Sequence, residues 1–359
     1  MFSRKSMQEV LTVMYTNDVF DDIDFLLLYE ASNKKNPALP YWKYNRFDIT
    51  RLTDEECKAD FRLGIAELPL LAKALKIPES FACKNGTVAG GMEGLCILLR
   101  RYAYPCRLSD LIPMFGRSVP ELSEIVSEVS GHIFNTHGYL LRTLKQPWLQ
   151  PDQLQKFADA VYSKGAALNN CWGFIDGTVR PISRPGVHQR VMYNGHKRVH
   201  AIKFQSVVAP NGLIANLCGP VEGKRHDAGM LRMSGLLDEL EQYSHSPTRE
   251  PLCIYGDPAY PQRIWLQTPY RDAHLTVAQQ QYNASMSTVR VAVEWVFGDI
   301  LAYFALMDYK KDLRIGLSPV GKMYMISALL RNALTCLYGN TTSLFFNIMP
   351  PTIQEYFQI

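Results

Sequence analysis

Three carboxylates stand out for their positions. Asp176 closes the short apolar run CWGFID (171–176) and is followed by Gly177. Asp257 closes the run PLCIYGD (251–257) and is preceded by Gly256. Glu294 lies in the stretch 285–307, where Val289, Val293, Val296, Phe297 and Ile300 recur at helical spacing. In open α/β sheets chemistry gathers at the carboxyl ends of strands, so two acids at the ends of parallel neighbours would meet. Three converging carboxylates repel one another unless a cation neutralises them. Hard oxygen donors with open positions suit Mg²⁺ or Mn²⁺. Two such ions, about 3.5–4 Å apart, would clamp a phosphodiester: one activates water or a 3′-hydroxyl, and the other stabilises the departing oxygen. Each acid also has a plainer reading. An Asp beside Gly at a strand end is often only a turn residue. Glu294 follows Arg290 by four positions, the spacing of a solvated helix pair. The order of all three acids on one strand-and-helix pattern is what favours the catalytic reading.

The elements that must position these acids are legible in outline. HAIKFQSVVA (200–209) alternates as a strand, Asn211-Gly212 is a strong hairpin signal, and LIANLC (213–218) returns. Residues 228–242 read as a helix with Asp227 a plausible N-cap. The order strand, hairpin, helix, strand, helix predicts a mixed sheet flanked by helices, the core order of the ribonuclease H-like fold. Upstream, residues 6–32 read as one or two helices with an acidic patch at Asp18, Asp21, Asp22 and Asp24. A Pro- and Asn-rich connector covers 33–48, and Thr53 with Glu56 reads as a capping box. Helices are predicted over 61–77 and 91–103. Residues 107–129 read as a helix-turn-helix-like segment turning at Gly116-Arg117-Ser118. Its second helix carries Glu121, Glu124 and Glu128, which phosphates would repel. Packing or protein contact is the better expectation there, with Arg117 the one candidate DNA contact. The expected division is N-terminal helices and connector (1–60), an all-helical, helix-turn-helix-like domain (61–150), an α/β catalytic domain (151–340) and a C-terminal tail (341–359).

The chain of 359 residues is 47% hydrophobic, enough for a sizeable core, and its net charge of +4 permits a nucleic-acid partner without demanding one. Eight cysteines without a CxxC pair read as reduced, buried thiols. No apolar run reaches membrane-spanning length, so a soluble protein of the nucleus or cytoplasm is expected, although no compact Lys/Arg cluster marks an import signal. Basic residues crowd between the first two strands: Arg180, Arg184, Arg190, His196, Lys197, Arg198, His200 and Lys203. Beside the acids, phosphate contact is the favoured reading over a solvated loop. Lys224 and Arg225, just before the crossover helix, join them. Asp227 is weighed as a fourth metal ligand and set below the N-cap reading. His196 and His200 lack a cysteine pair and a helix, which argues against zinc. Gly86 to Gly94 lacks the Lys-Ser/Thr ending of a phosphate loop.

Five blocks carry a resemblance: GFIDGTVRPISRP (173–185), YNGHKRVHAIKFQ (193–205), GPVEGKRHDAGML (219–231), YGDPAYP (255–261) and VRVAVEWVFGDI (289–300). In order and spacing they resemble the PIF/Harbinger group of DDE transposases and its domesticated relatives, over roughly 165–340. The resemblance implies a ribonuclease H-like fold, with Asp176, Asp257 and Glu294 at the three metal-binding positions and two Mg²⁺ or Mn²⁺ ions between them. The 37 residues from Asp257 to Glu294 suit DDE enzymes, and the Arg290-x-x-x-Glu294 step fits related bacterial insertion-sequence enzymes. One departure is that Ile300 and Leu301 stand where relatives often carry a Lys; Lys310 and Lys311 lie further on. The implied activity is cleavage of phosphodiester bonds at transposon ends and their joining to target DNA. Two alternatives stay open: a domesticated metal-dependent nuclease without transposition, and a non-catalytic DNA- or protein-binding module on the same fold. The resemblance further implies DNA and a Myb-like DNA-binding protein as partners, a homodimer or larger assembly, and nuclear entry with that partner or residence in the cytoplasm.

Overall fold

The computed structural model describes residues 4–32 and 39–359; residues 33–38 of the expected connector lie outside the described residues. Two helices, α1 (Arg4–Thr16) and α2 (Asp22–Ser32), open the chain. Next come α3 (Asp54–Phe61) and α4 (Glu67–Ala74), a small hairpin of β1 (Ser80–Ala82) and β2 (Val88–Gly90), and α5 (Gly91–Ala103). The capping box at Thr53 and Glu56 forms, each side chain serving the other's backbone N–H. The helix expected over 61–77 is corrected: Arg62 takes a left-handed conformation (φ 68°) that ends α3, and the chain turns before α4 begins.

A short helix, α6 (Ile112–Phe115), a left-handed Gly116 and the long α7 (Val119–His137) follow. Gly116 is required there, because a Cβ would stand 2.4 Å from the Asn45 carbonyl oxygen. Arg117, the candidate DNA contact of this segment, is only 6% exposed. Its guanidinium donates to Glu93 at 2.6 and 2.8 Å and to Glu121 at 3.3 Å, clamping α5 to α7. The expectation of a surface contact is corrected accordingly: this arginine fills a packing role.

After α8 (Pro151–Ser163) the sheet begins with β3 (Cys171–Pro181). A one-turn helix α9 (Gln189–Met192) leads through β4 (Tyr193–Asn194) to β5 (Val199–Val208) and β6 (Ile214–Glu222). Two helices, α10 (Asp227–Ser234) and α11 (Leu236–Tyr243), broken apart by a left-handed Gly235, cross to β7 (Cys253–Tyr255) and β8 (Leu266–Gln267). The strands run β6–β5–β3–β7–β8, with the short β4 also paired to β5. β5 is antiparallel to β3, and β6 to β5, whereas β7 lies parallel to β3, and β8 to β7. This is a mixed sheet flanked by helices.

From Val277 on the regular elements are all helical: α12 (Val277–Tyr303), α13 (Val320–Tyr338), α14 (Thr341–Phe346) and α15 (Ile353–Phe357). The Asn211-Gly212 turn forms, with Gly212 at φ 79°, and Asn340 donates to the Gly212 carbonyl at 2.9 Å. Asn332 of α13 exchanges two 2.9 Å bonds with the backbone of Ile214, fixing that helix to the start of β6. One apolar core runs from Cys57 to Phe357, joining the helical layer to the sheet. Among the described residues no helix is long and apolar enough to cross a membrane.

Candidate active site

β3 and β7 are parallel neighbours, and Phe174 pairs with Tyr255. Asp176 and Asp257 therefore each stand two residues past a paired position, on adjacent strands running the same way. The approach depends on Gly256, since a Cβ there would lie 2.7 Å from Ile175 Cγ2. Both acids line one cleft of about 590 Å³, together with Asp227, Lys197, Lys203 and Arg225. Asp257 also makes the turn that its neighbours suggest, its Oδ1 accepting the Ala259 N–H at 2.9 Å.

Glu294 arrives from α12. That helix buries Val289, Ala292, Val293, Val296, Phe297 and Ile300, which turns Glu294 outward and leaves its side chain 56% exposed. The helix is pinned along its axis by Asp299, bonded at 2.7 Å to the buried Arg331 of α13, and by Thr342, which donates to the Ala292 carbonyl at 3.1 Å. Arg290, one turn before Glu294, reaches both ways: Nη1 lies 3.3 Å from Asp176 Oδ2, and Nη2 lies 3.3 Å from Glu294 Oε1. The helix pair allowed by the spacing thus forms, and the same guanidinium joins Glu294 to Asp176. Among the described residues no three Asp, Glu, His or Cys side chains are gathered closely enough to hold a metal ion as they stand.

Burial dominates the electrostatics of the two strand-end acids. Burial pushes Asp176 up to about 6, against the opposing pull of Arg290 and of the Gly177 N–H, and the charges of Asp257 and Glu294 push the same way. Asp257 is also raised, by burial first; the Ala259 N–H opposes this and the charge of Asp227 adds to it. Tyr260 lies beside them, its hydroxyl buried without a partner among the described residues and pushed well up by burial and by Asp227, Asp176 and Asp257.

The basic residues divide by exposure. Arg184, Arg190, Lys197, Arg198 and Lys224 are exposed, Arg184 donating to Gln189 at 2.8 Å. Arg180 is half-buried, donates to Thr178 at 2.5 Å and lies over the Tyr324 ring. It lines a second cavity of about 440 Å³ that shares Gly177, Val179 and Lys197 with the first. Arg225 pairs with Glu222. Lys203 departs most from expectation: at 6% exposure its ammonium is committed to Asp227 (2.6 Å) and to the Arg225 carbonyl (2.9 Å), so it is a wall residue and not a free phosphate contact. The backbone carbonyls of Lys310 and Lys311 accept from the Ser183 hydroxyl, seven residues past Asp176 in the chain. Asp227 is also corrected: His226 is the N-cap of α10, and Asp227 is its first residue, with its carboxylate in the cleft. No sequence signal marked Tyr260, or the reach of Arg290 across to the sheet.

The part of the chain that carries this sheet and cleft is similar to a DDE-superfamily nuclease domain. Residues 175–332, which include Asp176, Asp257 and Glu294, match the family described as DDE superfamily endonuclease. A curated relative, Protein ALP1-like of Arabidopsis thaliana, is 24% identical over 259 residues, covering 69% of this chain and 59% of the relative. The chain thus spans less than two thirds of that protein's length. No solved structure matches the chain.

Proposed function

We propose that the chain is a DDE-type nuclease and DNA strand-transferase of the PIF/Harbinger kind, with a ribonuclease H-like catalytic domain. The observation that carries this reading is the pairing of Asp176 and Asp257 on adjacent parallel strands, facing one cleft in which burial raises both carboxylates. A central strand flanked by an antiparallel hairpin on one side and parallel strands on the other supports the ribonuclease H-like assignment.

The donor set suits a hard divalent cation: carboxylate oxygens held at strand ends, with a buried, partnerless Tyr260 hydroxyl beside them. Asp176, Asp257 and Glu294 would hold Mg²⁺ or Mn²⁺, as two ions. Such ions, when bound, activate the attacking oxygen and stabilise the leaving one. Arg290 partly offsets the charge of Asp176 and bridges it to Glu294, and it must turn away for Glu294 to join the other acids. The exposed Arg184, Arg190, Lys197, Arg198 and Lys224 track the phosphate backbone of transposon ends and target DNA, which makes binding fall steeply with salt. Holding two DNA ends calls for at least a dimer, and a Myb-like partner would supply base recognition and nuclear entry. The rival that an observation favours is a non-catalytic module, because Arg290 already bridges two of the acids.

Plasmid nicking separates the two readings. The wild-type chain nicks supercoiled DNA with Mg²⁺ and not with a chelator, and Asp176→Ala abolishes the cutting. Equal cutting by Asp176→Ala, or none by the wild type, contradicts the nuclease reading.

A further inference from the structure

A buried ion pair forms part of the cleft wall. Lys203 of β5 donates to Asp227 of α10 at 2.6 Å, and the two side chains are 7% and 21% exposed. Such a pair is a poor source of stability, because desolvation of both charges offsets most of their attraction, and apolar residues of similar size would hold the wall as well. Its placement suggests another use. The Asp227 carboxylate occupies the space where a side chain of residue 177 would stand: a Cβ on Gly177 would lie 2.6 Å from Asp227 Oδ1. The N–H of that glycine donates to Asp176 Oδ1 at 2.8 Å. The Asp227 carboxylate, held by Lys203, thus stands against the open face of Gly177, whose own N–H holds the carboxylate of Asp176.

We propose that Asp227, oriented by Lys203, is a positioning residue for Asp176. It rests on the backbone of Gly177 and fixes the peptide whose N–H sets the direction of the Asp176 carboxylate. Gly177 is the one residue that permits this contact. The inference rests on the reading of Asp176 as a cation-binding acid, and it adds residues that the three-acid pattern does not contain.

The test uses the full chain, Mn²⁺ binding followed by electron paramagnetic resonance, and Mg²⁺-dependent nicking of supercoiled plasmid. Asp227→Asn keeps the shape and an acceptor for Lys203 but removes the charge that locks the pair. It weakens Mn²⁺ binding and lowers kcat by about tenfold, the usual size of an outer-contact effect, with KM for the plasmid unchanged. Lys203→Met strands a buried charge and lowers the melting temperature. The double variant Lys203→Met/Asp227→Asn recovers that temperature but not the Mn²⁺ affinity. Gly177→Ala weakens Mn²⁺ binding alone, and adding Asp227→Asn to it brings no further loss, because both break the same contact. Should Gly177→Ala fail to fold, Asp227→Asn and the double variant decide the matter. Unchanged Mn²⁺ affinity and kcat in Asp227→Asn, or full recovery of both in the double variant, overturns the proposal and leaves the three-acid reading standing. A wild-type chain that neither binds Mn²⁺ nor nicks overturns both.

Discussion

Two arginines in this molecule each face two carboxylates, and the two clusters are built in opposite ways. In the helical layer Arg117 is buried and gives Glu93 two short bonds, while Glu121 takes a third and the Val88 carbonyl a fourth. In the cleft Arg290 gives Asp176 and Glu294 one long bond each, at 3.3 Å. The first cluster is satisfied and lies between α5 and α7, where nothing needs to move. The second leaves Asp176 raised to about 6 despite its cation. Charge of the same kind thus locks one region, whereas in the other the two long bonds of Arg290 only partly offset the burial of Asp176.

The largest expected effect removes the strand-end acid beside that cluster. Asp257→Asn lowers the rate of Mg²⁺-dependent nicking by about 10³-fold or more, equivalent to about 4 kcal/mol of barrier, measured on supercoiled plasmid. Next in size is the structural cluster. Arg117→Met leaves Glu93 and Glu121 half-buried without their cation and destabilises the chain by about 3 kcal/mol in urea unfolding, with the cleft's metal affinity unchanged.

Asp176→Asn acts in the other direction. The folded chain holds the Asp176 proton more tightly than the unfolded chain does, with a value of about 6 against an ordinary 3.8. Stability of the metal-free protein therefore falls as pH rises from about 4 to about 6, and the loss is complete above that. The variant lacks this slope and is more stable than the wild type by about 3 kcal/mol at pH 7, a gain that vanishes near pH 4. The smallest effect belongs to Arg290→Gln. Its long, partly exposed bonds contribute under about 1 kcal/mol, so unfolding changes little, in contrast to Arg117→Met. Mg²⁺ raises the melting temperature of this variant more than that of the wild type, because the competing cation is gone.

The same contrast explains how much was legible beforehand. Strand ends and their glycines were readable, because CWGFID and YGD carry an apolar run, an acid and a small residue in contiguous order. The hairpin at Asn211-Gly212 and the capping box at Thr53 and Glu56 were readable for the same local reason. Boundaries shifted where tertiary packing decides: α12 begins at Val277, ahead of the expected 285, and β3 runs on to Pro181 because β5 pairs with it from Phe174 to Pro181. What stayed hidden was contact across distance. Arg117 at a glycine turn looks like a surface residue until Glu93, 24 positions earlier, folds beneath it. Lys203 looks like one more base in a basic stretch, yet β5 turns it inward to Asp227. Arg290 shows its partner one helical turn away, and nothing local shows the 114 positions to Asp176. Residues with side chains committed to distant partners are the ones that pattern reading misplaces.

The central claim concerns where a divalent cation goes. Anomalous diffraction from crystals of the wild-type chain soaked in Mn²⁺ addresses it directly. The account predicts a peak between Asp176 and Asp257, with the Arg290 guanidinium swung off Asp176. A cleft without a peak, with Arg290 still bridging Asp176 and Glu294 at saturating Mn²⁺, would contradict it.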